Sequence, residues 1–453
     1  MFCASEVAPF AKTGGLADVA GSLPKALGKL GIQTLVVMPK YRGIELTDTE
    51  IAPNVHIHFV ENEAFFNRSG LYGNGDSDYE DNLDRFSFFS QECLRLAKRV
   101  NFQPDIVHAH DWHTALVPVL LKTKFASDDF FKKSRSLLTI HNLAYQGQFP
   151  AAEYKKLGLP AALFSMDGFE FYGGVNVLKA GLLHADRLNA VSPTYAEEIR
   201  TAEYGCGLEG VLERRKKSLS GILNGLDTDI WDPAKDTRIV SHFSAAALEG
   251  KKRCKAELQK KYGFEVDPAV PVLAVVSRLA HQKGLDLLAQ ASAELLKEKV
   301  QLIVLGDGDP EYRRKFEKLG QKYTANAKIL IGFRAPEAHG IYAGADFFLM
   351  PSRFEPCGLG QLIAMRYGAV PVVRATGGLK DTVIDADRDA VKGNGFVFEQ
   401  PIAADFMSTL RRALKAYGEQ GRFAGIVQTG MKADFSWDES AKKYEILYKE
   451  ALQ

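Results

Sequence analysis

The chain has 453 residues, of which 46% are apolar and 25% charged, and its net charge is +1. These are the proportions of a soluble globular protein of two or three domains, and the charge balance leaves no bulk electrostatic case for a nucleic-acid or anionic-membrane partner. No apolar run approaches the ~20 residues needed to cross a bilayer. No n-region and h-region pair is visible at the start, so no signal peptide is expected, and five scattered cysteines without C-x-x-C pairs fit free thiols in a reducing cytoplasm.

Met1-Phe2-Cys3-Ala4 leaves room for a short first strand. Lys12-Thr13-Gly14-Gly15-Leu16-Ala17-Asp18-Val19 then reads as a glycine turn carrying a lysine and opening a helix. Glycine lets backbone approach a ligand, and a helix N-terminus offers unpaired N–H groups to an anion. The order of a Walker A loop is missing. Tight strand–helix packing is the alternative use of the two glycines. Further strands are expected at residues 33–38, 105–110, 137–141, 188–191 and 219–223, each rich in Val, Ile and Leu with little polar alternation. Helical patterns between them supply crossovers, so the first half reads as a doubly wound parallel sheet.

Trp231-Asp232-Pro233 closes that unit, and a boundary near residue 240 separates domains at 1–240 and 241–435. The second domain repeats the plan, with strands expected at 270–277, 300–305, 328–331, 346–350, 370–373 and 395–398. The last segment, 436–453, is an amphipathic helix carrying Trp437, Tyr444, Leu447 and Tyr448, suited to packing back across the first domain. Ligands bind at the carboxyl ends of strands in such sheets, and two sheets facing each other make a deep cleft.

Most of the polar chemistry falls just past strand ends. After the strand at 270–277 come Arg278 and Lys283, five apart on one turn and able to converge on a diphosphate, Arg as a fork and Lys as a point charge. Two solvated surface cations are the alternative. After 346–350 comes Pro351-Ser352-Arg353-Phe354-Glu355-Pro356-Cys357-Gly358-Leu359-Gly360-Gln361. Glu355 suits sugar hydroxyls, the helix start near Leu359 suits phosphate, and Cys357 reads as a small buried residue. Thr376-Gly377-Gly378-Leu379 follows another strand.

In the first half, His108-Ala109-His110-Asp111-Trp112-His113 lacks the i, i+4 histidine spacing of a zinc helix, so no metal is expected. Asp111 offers a carboxylate to hydroxyls and Trp112 an indole face to a sugar ring. His141, at the next strand end, suits a leaving phosphate or a sugar hydroxyl, with a satisfied core histidine as the alternative. Gly205-Cys206-Gly207-Leu208-Glu209-Gly210 matches G-x-G-x-x-G but follows a helical stretch, so a dinucleotide site is rejected. D-x-D pairs at Asp76/Asp78, Asp227/Asp229, Asp307/Asp309 and Asp385/Asp387 read as turn chemistry.

Taken in order, Lys12 to Val19, His108 to His113, His141 to Gly147, Gly205 to Gly210, Ile222-Leu223-Asn224-Gly225-Leu226-Asp227, Ser277-Arg278, Lys283-Gly284 and Pro351 to Leu359 closely resemble the bacterial glycogen synthases and plant starch synthases. The resemblance covers essentially the whole chain. It implies a GT-B architecture of two Rossmann-like domains. The implied reaction carries glucose from ADP-glucose to the non-reducing end of an α-1,4-glucan such as glycogen, retaining configuration, with UDP-glucose as the alternative donor or another GT-B glycosyl transfer as the alternative reaction. No cofactor is implied. By that resemblance Arg278 and Lys283 neutralise the leaving diphosphate, Glu355 holds the donor glucose, and His141 sits by the donor sugar. Lys12, Gly14, Gly15, Asn224 and the amides around Leu359 serve the donor, and Phe333 stacks on adenine. Asp111, Trp112 and Tyr72 lie on the acceptor side. Two departures stand out: Ile363 occupies the second place of the E-x7-E pattern of related enzymes, and Gly360 stands where a polar residue is common. A non-catalytic glucan-binding protein would have no use for both Glu355 and Lys283.

Overall fold

The computed structural model describes residues 1–75, 77–332 and 335–453, the side chain of Ala335 excepted. The chain divides into two compact units, Met1–Gly225 with Trp437–Gln453, and Leu226–Ser436.

The first unit is built on β1 (Phe2–Cys3), β2 (Thr34–Pro39), β3 (Asp48–Ala52), β4 (Val55–Val60), β5 (Ile106–His110) and β6 (Arg135–Ile140). A small cluster follows, β7 (Gln148–Pro150), β8 (Glu170–Phe171) and β9 (Gly174–Asn176), and then β10 (Arg187–Ala190) and β11 (Leu219–Gly221). The main sheet runs β11-β10-β6-β5-β1-β2-β4-β3, and β7-β9-β8 form a separate antiparallel sheet. Every pairing in the main sheet is parallel except β3 with β4. The central strands β1, β2 and β5 are buried along their length, as a sheet covered on both faces requires.

The second unit contains β12 (Val272–Val276), β13 (Gln301–Gly306), β14 (Ala327–Ile331), β15 (Phe347–Met350), β16 (Val370–Arg374) and β17 (Phe396–Phe398). They form one parallel sheet in the order β14-β13-β12-β15-β16-β17 around an aliphatic and aromatic core. Each expected strand of both halves is present within a few residues. The β3–β4 hairpin was not anticipated, although Val55, Ile57 and Phe59 alternate with His56 and His58 in the manner of a strand with one wet face. The β7-β9-β8 sheet has strands of two or three residues, too short to leave a periodic trace.

The division falls at Leu226, ahead of the boundary expected near 240. Segment 226–240 is anchored in the second unit. Trp231 stacks on His339 at 4.1 Å, and Asp236 accepts hydrogen bonds from Tyr367 at 2.6 Å and the His339 ring at 2.7 Å. The final helix, Trp437–Leu452, belongs to the first unit, where it packs on the helix Gly15–Lys29. Ser440 donates to Leu223 O, Asn189 donates to the Tyr444 hydroxyl, and Tyr448 is hydrogen-bonded to His108.

Strand order places the functional loops. From β1 the first sheet grows one way through β2 and the other way through β5, so the loops after β1 and β5 flank the point where the winding reverses. In the second sheet that point lies between β12 and β15. Open α/β sheets bind ligands at such switch points because the adjacent connections diverge to opposite faces and leave a crevice.

Candidate active site

Beyond β12 the chain turns through Ser277 and Arg278 into a short turn, His281–Lys283, and then the helix Leu285–Leu295. Gly284 makes that join possible: its φ is +62°, and a Cβ there would stand 1.8 Å from Pro351 O. The close approach brings the β12 loop onto the β15 loop. Arg353 N donates to Gln282 O at 2.8 Å, and the Gln282 amide donates to Phe354 O at 3.3 Å. Across this join Lys283 Nζ donates to Glu355 Oε2 at 2.6 Å, with the two side chains 18% and 8% exposed. Ser352 Oγ donates to the same carboxylate oxygen at 3.0 Å. Arg278 remains exposed, touching only Gln282 Oε1 at 3.4 Å and making no ion pair among the described residues. Thus a largely buried cation and carboxylate are held together, and the same loop carries a second, exposed cation.

Leu359 caps the helix Gly360–Arg366, and Gly378 N donates to Glu355 O, so the turn at 376–379 supports the Glu355 loop. Cys357 is buried and Ile363 lies in the core. Phe333 lies outside the described residues.

In the first unit, Gly14 caps the helix Gly15–Lys29. A Cβ at Gly14 or Gly15 would meet nothing within 4 Å, so packing does not account for either glycine and the space above the helix start is open. Lys12 pairs with Asp18 at 2.6 Å on the exposed surface. Beneath this loop lies Glu6, a buried acid that sequence reasoning missed. It accepts from the backbone N–H and hydroxyl of Thr13, and burial raises its carboxyl pKa. Its only sequence signal is its place between the first strand and the glycine turn. Neighbouring Ser5 is hydrogen-bonded to the Tyr72 hydroxyl at 2.7 Å.

Past β5, Asp111 sits at φ +52°, a left-handed conformation rare outside glycine. Its Oδ1 accepts from His141 N at 2.7 Å and, more weakly, from Asn142 N at 3.4 Å, so the carboxyl ties the end of β5 to the end of β6. Burial lifts its pKa to about 7. Trp112 is buried: Phe86 packs edge-on at 5.1 Å, and Gly147 lies so close that a Cβ would come within 2.4 Å of the indole. Tyr72 stacks on His113 at 4.5 Å, completing an aromatic group with Trp112 and Phe86. His141 is half-buried at the end of β6, its Nε2 3.0 Å from His110 Nδ1, and burial pushes its pKa down to about 3. Asn224 is buried with an Oδ1 that has no hydrogen-bond partner among the described residues.

The structure therefore brings Lys283 to Glu355, and Asp111 to His141 and Trp112. The residues tying these groups in place were not foreseen. Gln146 donates to Leu143 O and Cys206 O while accepting from Asn176, joining the His141 loop to the glycine-rich segment 205–210. That segment leads into the helix Glu209–Arg214 and follows no strand. Of the D-x-D pairs, Asp385 and Asp387 both bind Arg412, and Asp309 caps the helix Pro310–Lys322. Asp76 lies outside the described residues. Among the described residues no cluster of three or more His, Cys, Asp or Glu is arranged to hold a metal ion, and no helix is long and apolar enough to cross a membrane.

Comparison with known proteins accounts for both halves. The family described as starch synthase catalytic domain matches residues 1–214, and glycosyl transferases group 1 matches residues 256–424. Glycogen synthase 2 of Geobacter sulfurreducens is 46% identical, covering 100% of this chain and 98% of its own. The glycogen synthase of Bacillus licheniformis is 43% identical with the same coverage. Among solved structures, the catalytic domain of Arabidopsis thaliana starch synthase IV, bound to ADP and acarbose, superposes with a TM-score of 0.91 at 35% identity, covering 100% of this chain and 98% of that one. Sucrose-phosphate synthase from Thermosynechococcus elongatus shares the fold at a TM-score of 0.65 and 19% identity, over 97% of this chain and 94% of that one. With full-length identity at this level and two parallel-sheet domains of the GT-B kind, the chain belongs to the glycogen synthase family of glucosyltransferases.

Proposed function

We propose that this protein transfers glucose from ADP-glucose to the non-reducing end of an α-1,4-glucan, with retention of configuration. The observation that carries the reading is the Lys283–Glu355 contact at the switch point of the second sheet, on a loop that also carries Arg278, which makes no ion pair among the described residues. A glucosyl diphosphate needs two things at its scissile bond: cations for the charge that builds on the leaving diphosphate, and acceptors for the hydroxyls of the sugar. Lys283 and Arg278 supply the first, and Glu355, steadied by Ser352, the second. The backbone amides around Leu359 add donors to the same group. As the C1–O bond breaks, the electron pair leaves with the diphosphate and the sugar takes on oxocarbenium character. Fixed cations stabilise that separation without waiting for water to reorganise.

The first unit contributes Lys12, Gly14 and Gly15, where open space over a helix start suits phosphate, and His141 and Asn224 toward the donor sugar. Asp111, Trp112 and Tyr72 serve the acceptor side. The burial of Trp112 and the ties of Asp111 to the β6 loop favour a supporting part for both, shaping the acceptor region through the backbone and Tyr72. The name of the Arabidopsis neighbour, bound to ADP and acarbose, supports an adenine nucleotide and a glucan-like ligand here as well. The test is glucose transfer to glycogen from ADP-glucose and UDP-glucose in parallel, with EDTA present. Transfer from ADP-glucose is expected. A preference for UDP-glucose overturns the donor assignment, and no transfer from either overturns the reaction.

A further inference from the structure

His110 is one of three histidines in the run 108–113, and the sequence assigns it no role of its own. In the structure it is fully buried, stacked on Phe2 at 5.4 Å and 4.1 Å from the His108 ring. Its backbone is pinned: His110 N donates to Thr114 Oγ1 at 2.6 Å, and that hydroxyl donates back to His110 O at 2.9 Å. One ring nitrogen, Nδ1, lies 3.0 Å from His141 Nε2. The other, Nε2, is buried and has no hydrogen-bond partner among the described residues. No protein group among the described residues bonds the remaining His141 nitrogen, Nδ1, and His141 itself is only half-buried.

A 3.0 Å contact between two imidazole nitrogens holds one proton. Desolvation keeps both rings neutral, so each carries a single N–H. If the shared proton sat on His141 Nε2, His110 would have to keep its own on Nε2, where the buried N–H has no acceptor. Orphaned buried N–H groups are rare because the lost hydrogen bonds to water go unreplaced. If the shared proton sits on His110 Nδ1, the buried Nε2 is a bare ring nitrogen among aromatic rings, and His141 accepts at Nε2. His141 must then carry its proton on Nδ1.

We infer that His110 is a positioning residue that sets the tautomer of His141, so that His141 presents an Nδ1–H donor, and not a base, to an oxygen of the donor sugar. The inference rests on the reading that His141 faces that sugar. The ligand group selected is a hydroxyl or ring oxygen able to accept a hydrogen bond.

The test uses the full-length protein in two ways. With histidine labelled by nitrogen-15, and the His141 signal identified by its loss in His141→Gln, two-bond proton–nitrogen correlations report the tautomer directly. Nδ1–H is expected for His141 in the unmodified protein, and Nε2–H there overturns the inference whatever the activity. In the second arm, His110→Asn keeps an N–H near the position of Nδ1, whereas His110→Ala removes it and His110→Asp replaces it with an acceptor. Glucose transfer should show His110→Ala and His110→Asp about tenfold down in kcat/KM for ADP-glucose, with His110→Asn within about threefold of the parent and the KM for glycogen unchanged. His110→Asn as poor as His110→Ala, with His141→Gln also impaired, overturns the role of His110 alone. A His141→Gln enzyme of full activity overturns the reading of His141 beneath it.

Discussion

The two strand-end clusters are built on different electrostatic plans. Past β12 and β15 the proposed working groups are charged: Lys283 against Glu355, with Arg278 exposed and making no ion pair among the described residues. Past β5 and β6 charge is suppressed: burial keeps His110 and His141 uncharged and raises the pKa of the Asp111 carboxyl to about 7. A diphosphate that gains charge as it departs asks for the first plan. Sugar hydroxyls, which exchange single hydrogen bonds and carry no charge, ask for the second. The difference also divides the labour of support. The charged pair forms where Gly284 and the Arg353–Gln282 backbone bond fold one loop onto the next, while the neutral cluster is tied through Asp111, Gln146 and Gly147.

If the division is right, removing charge and removing backbone support should do different things. Lys283→Ala should lower kcat by about a hundred- to a thousandfold, the usual cost of losing one fixed charge at a developing anion. Co-sedimentation with glycogen should be unaffected, and equal loss of both breaks the comparison. In the other cluster, Gly147→Ala forces a side chain into φ +61° and against the Trp112 indole. It should cost about 2–3 kcal/mol of stability, read as a lower first transition on thermal melting. An unchanged melting curve would show that the Gly147 backbone does not hold Trp112.

These two expectations also mark what a sequence can and cannot carry. The strands were legible because each is a buried run of Val, Ile and Leu set between helical periods. The loops were legible because Gly, Lys, Arg and Glu gather just past them. Lys283 and Glu355 were both singled out, yet nothing in a linear chain says that residues 72 apart make one ion pair. That depends on Gly284 folding one loop onto the next. Trp112 read as an open platform because indole faces suit sugars, and only the fold reveals Gly147 and Phe86 covering it. Asp111 read as a ligand for hydroxyls, whereas its left-handed φ turns the carboxyl back toward the amides of β6.

Asp111 gives the pH test of the neutral plan. An unfolded aspartate releases its proton near pH 3.8, while the folded protein keeps this one to about 7. Through that window the native state binds the extra proton, so stability falls as pH rises, and above pH 7 the penalty is complete. Asp111→Asn keeps an oxygen to accept from His141 N and has no charge to bury. Its melting temperature relative to the parent should therefore climb from pH 5 to pH 8 by a few degrees. A difference independent of pH would mean that the Asp111 carboxylate is already satisfied when charged.

The smallest expected effect bears on the charged plan most directly. Before a donor arrives, the Lys283 ammonium is taken up by Glu355 at 2.6 Å, with Ser352 on the same oxygen. A diphosphate must draw on that ammonium while Glu355 still holds it, whereas ADP brings no sugar for Glu355 to hold in return. Glu355→Gln removes the competing charge and leaves the loop contacts through Gln282 and Arg353 in place. Calorimetric titration should then find ADP bound about three- to tenfold tighter than by the parent, a gain on the scale of one weakened charge-assisted contact, even as glucose transfer falls. Weaker ADP binding would reverse the reading: Glu355 would be the scaffold that aims Lys283 at the phosphates, and the charged cluster, like the neutral one, would work by positioning.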